Sequence, residues 1–321
     1  MKKTTLLKAA LGAGAIGAAI PVLIDHLLVH RKFELPQGAK DAVSGADMTE
    51  LHALRDDYMN WLENYGYEEH HMITGDGLML NGFFFRAKEE SNIYAFCAHG
   101  YRSSGKTEFC ALIQYYLSRN INVFVCDHRG AESSEGNLIG FGAYESKDCI
   151  KWLDYLNNTF GPDIKLILHG ISMGSATVML MTGNPNLPEN VKMCVADCGY
   201  TSAWDEFTYK LGEMKVPAHP LVELVNAVNK VVAGYDFKKD TSAIEAVKRS
   251  KTPTLFVHGD ADGWAAMNSV KTWEKMRAMG IQSQLHTLAT RNHCFQRTAS
   301  PGTGSYTYLD RIGEFLEYML K

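Results

Sequence analysis

The chain has 321 residues, 46% of them hydrophobic and 21% charged, with a formal net charge of −4. That length supports one large domain with a sizeable core, or two small ones, and the composition is that of an ordinary globular protein. A mildly acidic balance gives no reason to expect a nucleic-acid partner. The 7 cysteines show neither a CxxC pair nor Cys/His ligand spacing, which reads as buried free thiols rather than a disulfide or metal framework.

The N-terminus carries Lys2, Lys3 and Lys8, then an uncharged run over residues 9–24. This run is slightly shorter than the ~20 residues of a spanning helix. Its small residues lie inside the run and bulky Val22, Leu23 and Ile24 follow, the reverse of a cleavage site. Residues 1–32 therefore read as a membrane anchor, with a cleaved signal or a surface-lying helix as alternatives. Arg31 and Lys32 beyond the run balance the lysines before it, so charge does not orient the segment. Residues 33–47, with Gln37-Gly38-Ala39 and Ser44-Gly45-Ala46, read as a linker. Residues 48–321 read as one domain.

Within that domain, Leu51, Leu54, Tyr58 and Trp61-Leu62 mark a helix over 48–65. Strands are predicted at 67–73, 79–86, 92–98, 121–126, 164–169, 191–196, 253–258 and 282–288. Helices are predicted at 106–119, 142–158, 174–182, 267–279 and 305–320. The first two strands are close enough to pair antiparallel. The others are separated by helices, which implies a mostly parallel eight-stranded sheet covered on both faces. The alternation breaks at about 200–250, where two or three helical segments and no strand are expected. Leu221, Leu224, Val225, Val228, Val231 and Val232 lie there, and an insertion near the strand ends would form a small helical cap or simply pack on the core.

Gly170-Ile171-Ser172-Met173-Gly174 sits between an apolar strand and a helix of small residues. This is the arrangement of a nucleophile elbow, a sharp turn that lifts a serine hydroxyl clear of the sheet. Three later or earlier features complete it. Phe256-Val257-His258 runs into the polar loop Gly259-Asp260-Ala261-Asp262, where a carboxylate can orient an imidazole. His293 follows the last strand and can reach that carboxylate and Ser172 across one sheet edge. His99-Gly100-Tyr101 ends an early strand, where the N–H of Tyr101 can join that of Met173 around an oxyanion. The acid is Asp262, with Asp260 and Asp197 as alternatives. His99, His128, His169 and His258 read as loop-fixing hydrogen bonders, and His70-His71 as a solvated pair.

A rival pattern overlaps the site. Gly100-Tyr101-Arg102-Ser103-Ser104-Gly105-Lys106-Thr107 matches a phosphate-binding P-loop letter for letter, and Asp127 ends the next apolar strand as a magnesium ligand would. That reading leaves Ser172, Asp262 and His293 unexplained, so Lys106 and Thr107 are read instead as a solvated first helical turn. A third reading is a hydrolase-like binding module whose acid is misplaced by Trp264-Ala265-Ala266.

From about Tyr67 to the C-terminus the chain resembles the α/β-hydrolase superfamily, nearest to bacterial single-domain hydrolases of the serine aminopeptidase and lysophospholipase-like branch. The resemblance rests on His99-Gly100-Tyr101, Asp127-His128-Arg129-Gly130 with Ser134-Glu135-Gly136, the elbow, His258-Gly259-Asp260-Ala261-Asp262 and His293. It implies Ser172, His293 and Asp262 as a triad, and a structural role for Asp127-His128-Arg129-Gly130. Trp264-Ala265-Ala266 departs from the family's pattern after the acid. The expected activity is hydrolysis of an ester or related acyl bond without metal or organic cofactor. The N-terminal run and the apolar cap segment point to medium-chain or lipidic acyl esters.

Overall fold

A computed structural model describes residues 19–31, 49–259, 283–288 and 305–320. The eight strands are β1 (Glu68–Ile73), β2 (Met79–Phe85), β3 (Ile93–Ala98), β4 (Asn122–Cys126), β5 (Lys165–Ile171), β6 (Val191–Asp197), β7 (Thr254–Gly259) and β8 (Ser283–Leu288). They form one sheet in the order β1-β2-β4-β3-β5-β6-β7-β8. β2 pairs antiparallel with both β1 and β4, and every other pair is parallel. The predicted α/β-hydrolase sheet is therefore present, with each strand within two residues of its expected position.

Alternation along the central strands divides the core into two layers. Ala95, Cys97, Val123, Val125 and Ile167 face one side, where helix α2 (Thr49–Tyr65), α3 (Gly105–Ser118) and α9 (Ser305–Leu320) bring Leu62, Phe109, Ile113, Ile312 and Phe315. Tyr94, Phe96, Phe124, Leu166 and Leu168 face the other. There α4 (Glu145–Phe160) and α5 (Met173–Thr182) bring Trp152, Leu156, Val178 and Met181. Parallel strands need both faces covered, and these near-continuous apolar runs supply both.

Three helices separate β6 from β7: α6 (Ala203–Glu213), α7 (Leu221–Val232) and α8 (Ala243–Val247). α7 is amphipathic, burying Val222 and Val225 while Leu224, Val231 and Val232 stay exposed. Residues 19–29 form a further helix, α1, which packs Val29 into the same cluster as Phe141, Met173 and Phe237. Among the described residues no helix is long and apolar enough to cross a membrane. Residues 1–18 of the expected anchor, the 33–47 linker and the 267–279 helix lie outside the described residues.

α1 buries a carboxyl group. Asp25 is 1% exposed and its Oδ1 has no hydrogen-bond partner among the described residues. Burial raises its pKa to about 6. The folded state thus holds the Asp25 proton more tightly than the unfolded chain. Its contribution is full below about pH 4 and is lost as pH rises to about 6. Asp25→Asn is therefore expected to raise stability at pH 7.5 by about 1–3 kcal/mol, with little change at pH 4.5. Urea midpoints at the two pH values check this.

Candidate active site

The sheet order reverses around β3, so the C-terminal ends of β3 and β5 lie side by side. β3 leads into the 99–104 loop and β5 leads into Ser172, which brings the two turns together. A Cβ placed on Gly100 would lie 3.2 Å from the Cβ of Ser172.

Ser172 adopts φ 55° and ψ −116°, outside the regions an L-residue favours. The surroundings hold it there. Its N–H donates to the carbonyl of Asp197 at 2.9 Å, and its own carbonyl accepts from Ala176 N at 3.1 Å. The flanking glycines are required by close approach. A Cβ on Gly170 would sit 2.1 Å from the Gly174 carbonyl oxygen, and one on Gly174 would sit 1.9 Å from that of Ala98. Met173 opens α5, so its N–H lies in the helix's positive first turn.

The loop carrying Tyr101 is braced from below. His128 N donates to His99 Nε2 at 3.0 Å, so the His99 proton is on Nδ1 and is donated to the Gly100 carbonyl at 2.8 Å. Burial, then the neighbouring His128, push the His99 pKa well below its usual value, which keeps this tautomer neutral. His128 Nε2 returns a hydrogen bond to the His99 carbonyl at 3.1 Å. Both histidines fix loops, as their positions before the turns imply. Glu108 was not singled out from the sequence. Its carboxylate accepts the N–H of Gly100 from the first turn of α3. An acidic residue at that helix position is the only signal the sequence offers.

The P-loop reading does not survive the hydrogen bonds. The Gly100 and Gly105 N–H groups both go to carboxylates, Glu108 and Asp127, the latter at 2.7 Å. Two carboxylates occupy the place where a phosphate would need donors. Lys106 also departs from its expected solvated setting. Its Nζ donates to Tyr67 Oη at 2.7 Å and Glu63 Oε1 at 3.3 Å, above the rings of Tyr67 and Phe83. Lys106→Ala is expected to leave hydrolysis within about twofold of wild type, and neither protein should bind ATP in a calorimetric titration. His70 is likewise packed rather than solvated, with Nδ1 2.9 Å from Tyr155 Oη and its ring edge-on to Phe84 and Phe124.

Asp197 ends β6 fully buried, and its Oδ2 accepts from Tyr308 Oη at 2.9 Å. Tyr308 also meets His169, which bonds Tyr116, so this carboxylate ties α9 to the sheet. Asp260, Asp262, Trp264-Ala265-Ala266, His293 and Cys294 lie outside the described residues. The strands that lead to them, β7 and β8, continue the parallel run beyond β6 and end at the same edge as the elbow.

Cys97, Cys110, Cys126, Cys149, Cys194 and Cys198 are all buried free thiols. Folding does collect one set of metal-ligand types that spacing concealed. Cys126, His128 and Cys149 bring their ligand atoms within 4.8 Å of one another. A thiophilic ion could be held there, but Cys126 already contacts the Cys97 carbonyl and Cys149.

The model of the prolyl oligopeptidase family matches residues 107–321, about two thirds of the chain. The chain belongs to the prolyl oligopeptidase family. That assignment makes it a serine hydrolase of the α/β-hydrolase superfamily, and the sheet order agrees with that fold. An uncharacterised Bacillus subtilis protein, YqkD, is 24% identical over 324 aligned positions, covering 99% of this chain and 98% of that protein. An esterase of Pyrococcus furiosus superposes with a TM-score of 0.64 at 18% identity, covering 80% of this chain and 93% of that one. An α/β hydrolase from Vibrio vulnificus gives 0.62 at 16% identity over 91% and 92% of the two chains. Likenesses at such identities are of fold.

Proposed function

We propose that this family member cleaves carboxylic esters or related acyl bonds through an acyl-enzyme on Ser172. The observation that carries the reading is the backbone of Ser172, held at positive φ beside the Gly100 turn. His293 Nε2 takes the hydroxyl proton as Oγ attacks the carbonyl. Asp262 orients the imidazole and offsets the imidazolium charge. The N–H groups of Tyr101 and Met173 receive the oxyanion, each worth about 3 kcal/mol in the transition state. His293 then protonates the leaving group, and water clears the acyl-enzyme. Peptides and thioesters share this chemistry, so the bond cleaved depends on the pocket rather than the triad.

The N-terminal segment is proposed to hold the enzyme at a membrane. The apolar run of residues 9–24 continues onto α1, whose Ile20, Val22 and Leu23 are each about half exposed.

A fluorophosphonate probe tests the core of the reading. Covalent labelling should map to Ser172 by mass spectrometry, because only an activated serine reacts. An intact, folded protein that stays unlabelled would leave a binding module in place of an enzyme.

A further inference from the structure

Helix α1 does more than lead into the domain, because its C-terminal end is fastened to the loop that carries Tyr101. The last carbonyls of a helix have no partner within it. Here each finds one. Arg102 Nη2 donates to the carbonyls of Leu27 and His30, both at 2.8 Å, and Nη1 to that of Arg31 at 3.0 Å. Tyr101 Oη donates to the Leu28 carbonyl at 2.8 Å, and Ile139 N to that of Val29 at 2.8 Å. In return Arg31 Nη2 donates to the Ser103 carbonyl at 2.9 Å. A guanidinium at the negative end of the helix adds electrostatic support.

The other side of α1 closes a cavity of about 280 Å³. Ile24 and Leu28 form one wall, Phe207 and Leu211 of α6 a second, and Leu221 and Val225 of α7 a third. Lys210 is the one charged residue on the lining, and its Nζ is engaged by Glu213 at 2.9 Å. Aromatic contacts run from this cavity to the oxyanion loop. Phe207 and Phe237, both on the lining, meet Phe141 edge-on at 5.0 and 6.1 Å, and Phe141 stacks on Tyr101 at 5.3 Å.

We propose that this cavity binds the aliphatic acyl chain of the substrate, and that α1 is a specificity element of the enzyme. The proposal rests on the acyl-ester reading above and names its substrate class. A charged or strongly polar side chain would meet a lining that is apolar except for Lys210, whereas an alkyl chain loses nothing there. The volume of about 280 Å³ lies just under the range of small-molecule sites, about 300–1,000 Å³, which fits a medium chain rather than a long lipid tail. Each methylene buried favours binding about fourfold. Tyr101 couples the two tasks: its ring reaches the cavity wall through Phe141 and its hydroxyl holds α1.

The test compares kcat/KM for p-nitrophenyl octanoate and acetate with the full-length protein. In Ile24→Trp and Leu28→Trp, which fill the cavity, the octanoate-to-acetate ratio is expected to fall at least tenfold. In Leu23→Ser, an exposed position on the same helix, the ratio should match wild type. An unchanged ratio in both tryptophan variants overturns the proposal while leaving the esterase reading intact. A second arm needs neither turnover nor bulky substitution: decanoate titrated into the Ser172→Ala protein should bind one-to-one and saturably. Absence of binding at millimolar decanoate overturns the cavity assignment. Wild-type protein inactive on both esters, with decanoate still bound, would instead overturn the esterase reading alone.

Discussion

Ser172→Ala is expected to lower kcat on p-nitrophenyl acyl esters by at least about 10⁴-fold, with the far-ultraviolet circular dichroism of the wild type retained. The size follows from what the substitution removes. Without Oγ there is no acyl-enzyme, and the residual rate reflects only the oxyanion donors and substrate positioning. The fold should tolerate the change, because backbone hydrogen bonds on both sides of residue 172 hold the elbow. Ser172 N still reaches the Asp197 carbonyl and Ala176 N still reaches the carbonyl of residue 172. Alanine at φ 55° carries the same strain as serine, so stability should shift by less than about 1 kcal/mol. Wild-type rates in the variant would remove Ser172 from the mechanism.

The second large effect concerns the acid. Asp262→Asn is expected to reduce kcat by about 10⁴-fold, because an amide in that place stabilises the wrong imidazole tautomer. Asp260→Asn should cost much less, since a carboxylate two residues earlier ties its loop down rather than touching the imidazole. Measuring both on one ester, together with Asp197→Asn, ranks the three carboxylates by effect. The Asp197 variant is expected to act on stability through Tyr308 and the packing of α9, and only weakly on rate at a temperature where it stays folded. If Asp260→Asn is the crippled variant, the triad moves by two residues.

Much of this molecule is legible in the chain itself. Local signals are strong where one physical cause dominates. Apolar runs separated by helical stretches located the eight described strands, and the glycines on either side of Ser172 marked the turn. They did so because no side chain fits within about 2 Å of a carbonyl oxygen. His99 and His128 were correctly read as loop-fixing, since a buried imidazole seeks partners for its ring nitrogens, whereas His169 bonds Tyr116 and Tyr308 on two helices.

Readings failed where a residue's partner is remote in sequence. Lys106 looked solvated and phosphate-seeking until the fold set Glu63 and Tyr67 against it, and His70 looked solvated until Tyr155 and Phe84 closed over it. Glu108 carried little signal beyond its place in the first helical turn, because its value lies in reaching Gly100 across a turn. The N-terminal run showed hydrophobicity but not its destination. The end of α1, just beyond that run, is bound to Tyr101 and Arg102, more than 70 positions away. Pattern along a chain thus determined the strands, the elbow and the class of chemistry, because those depend on neighbours within a few residues. Only the tertiary structure decided which polar groups are already occupied and which helix walls the cavity, because hydrogen bonds and packing are settled by distance in space, not along the chain.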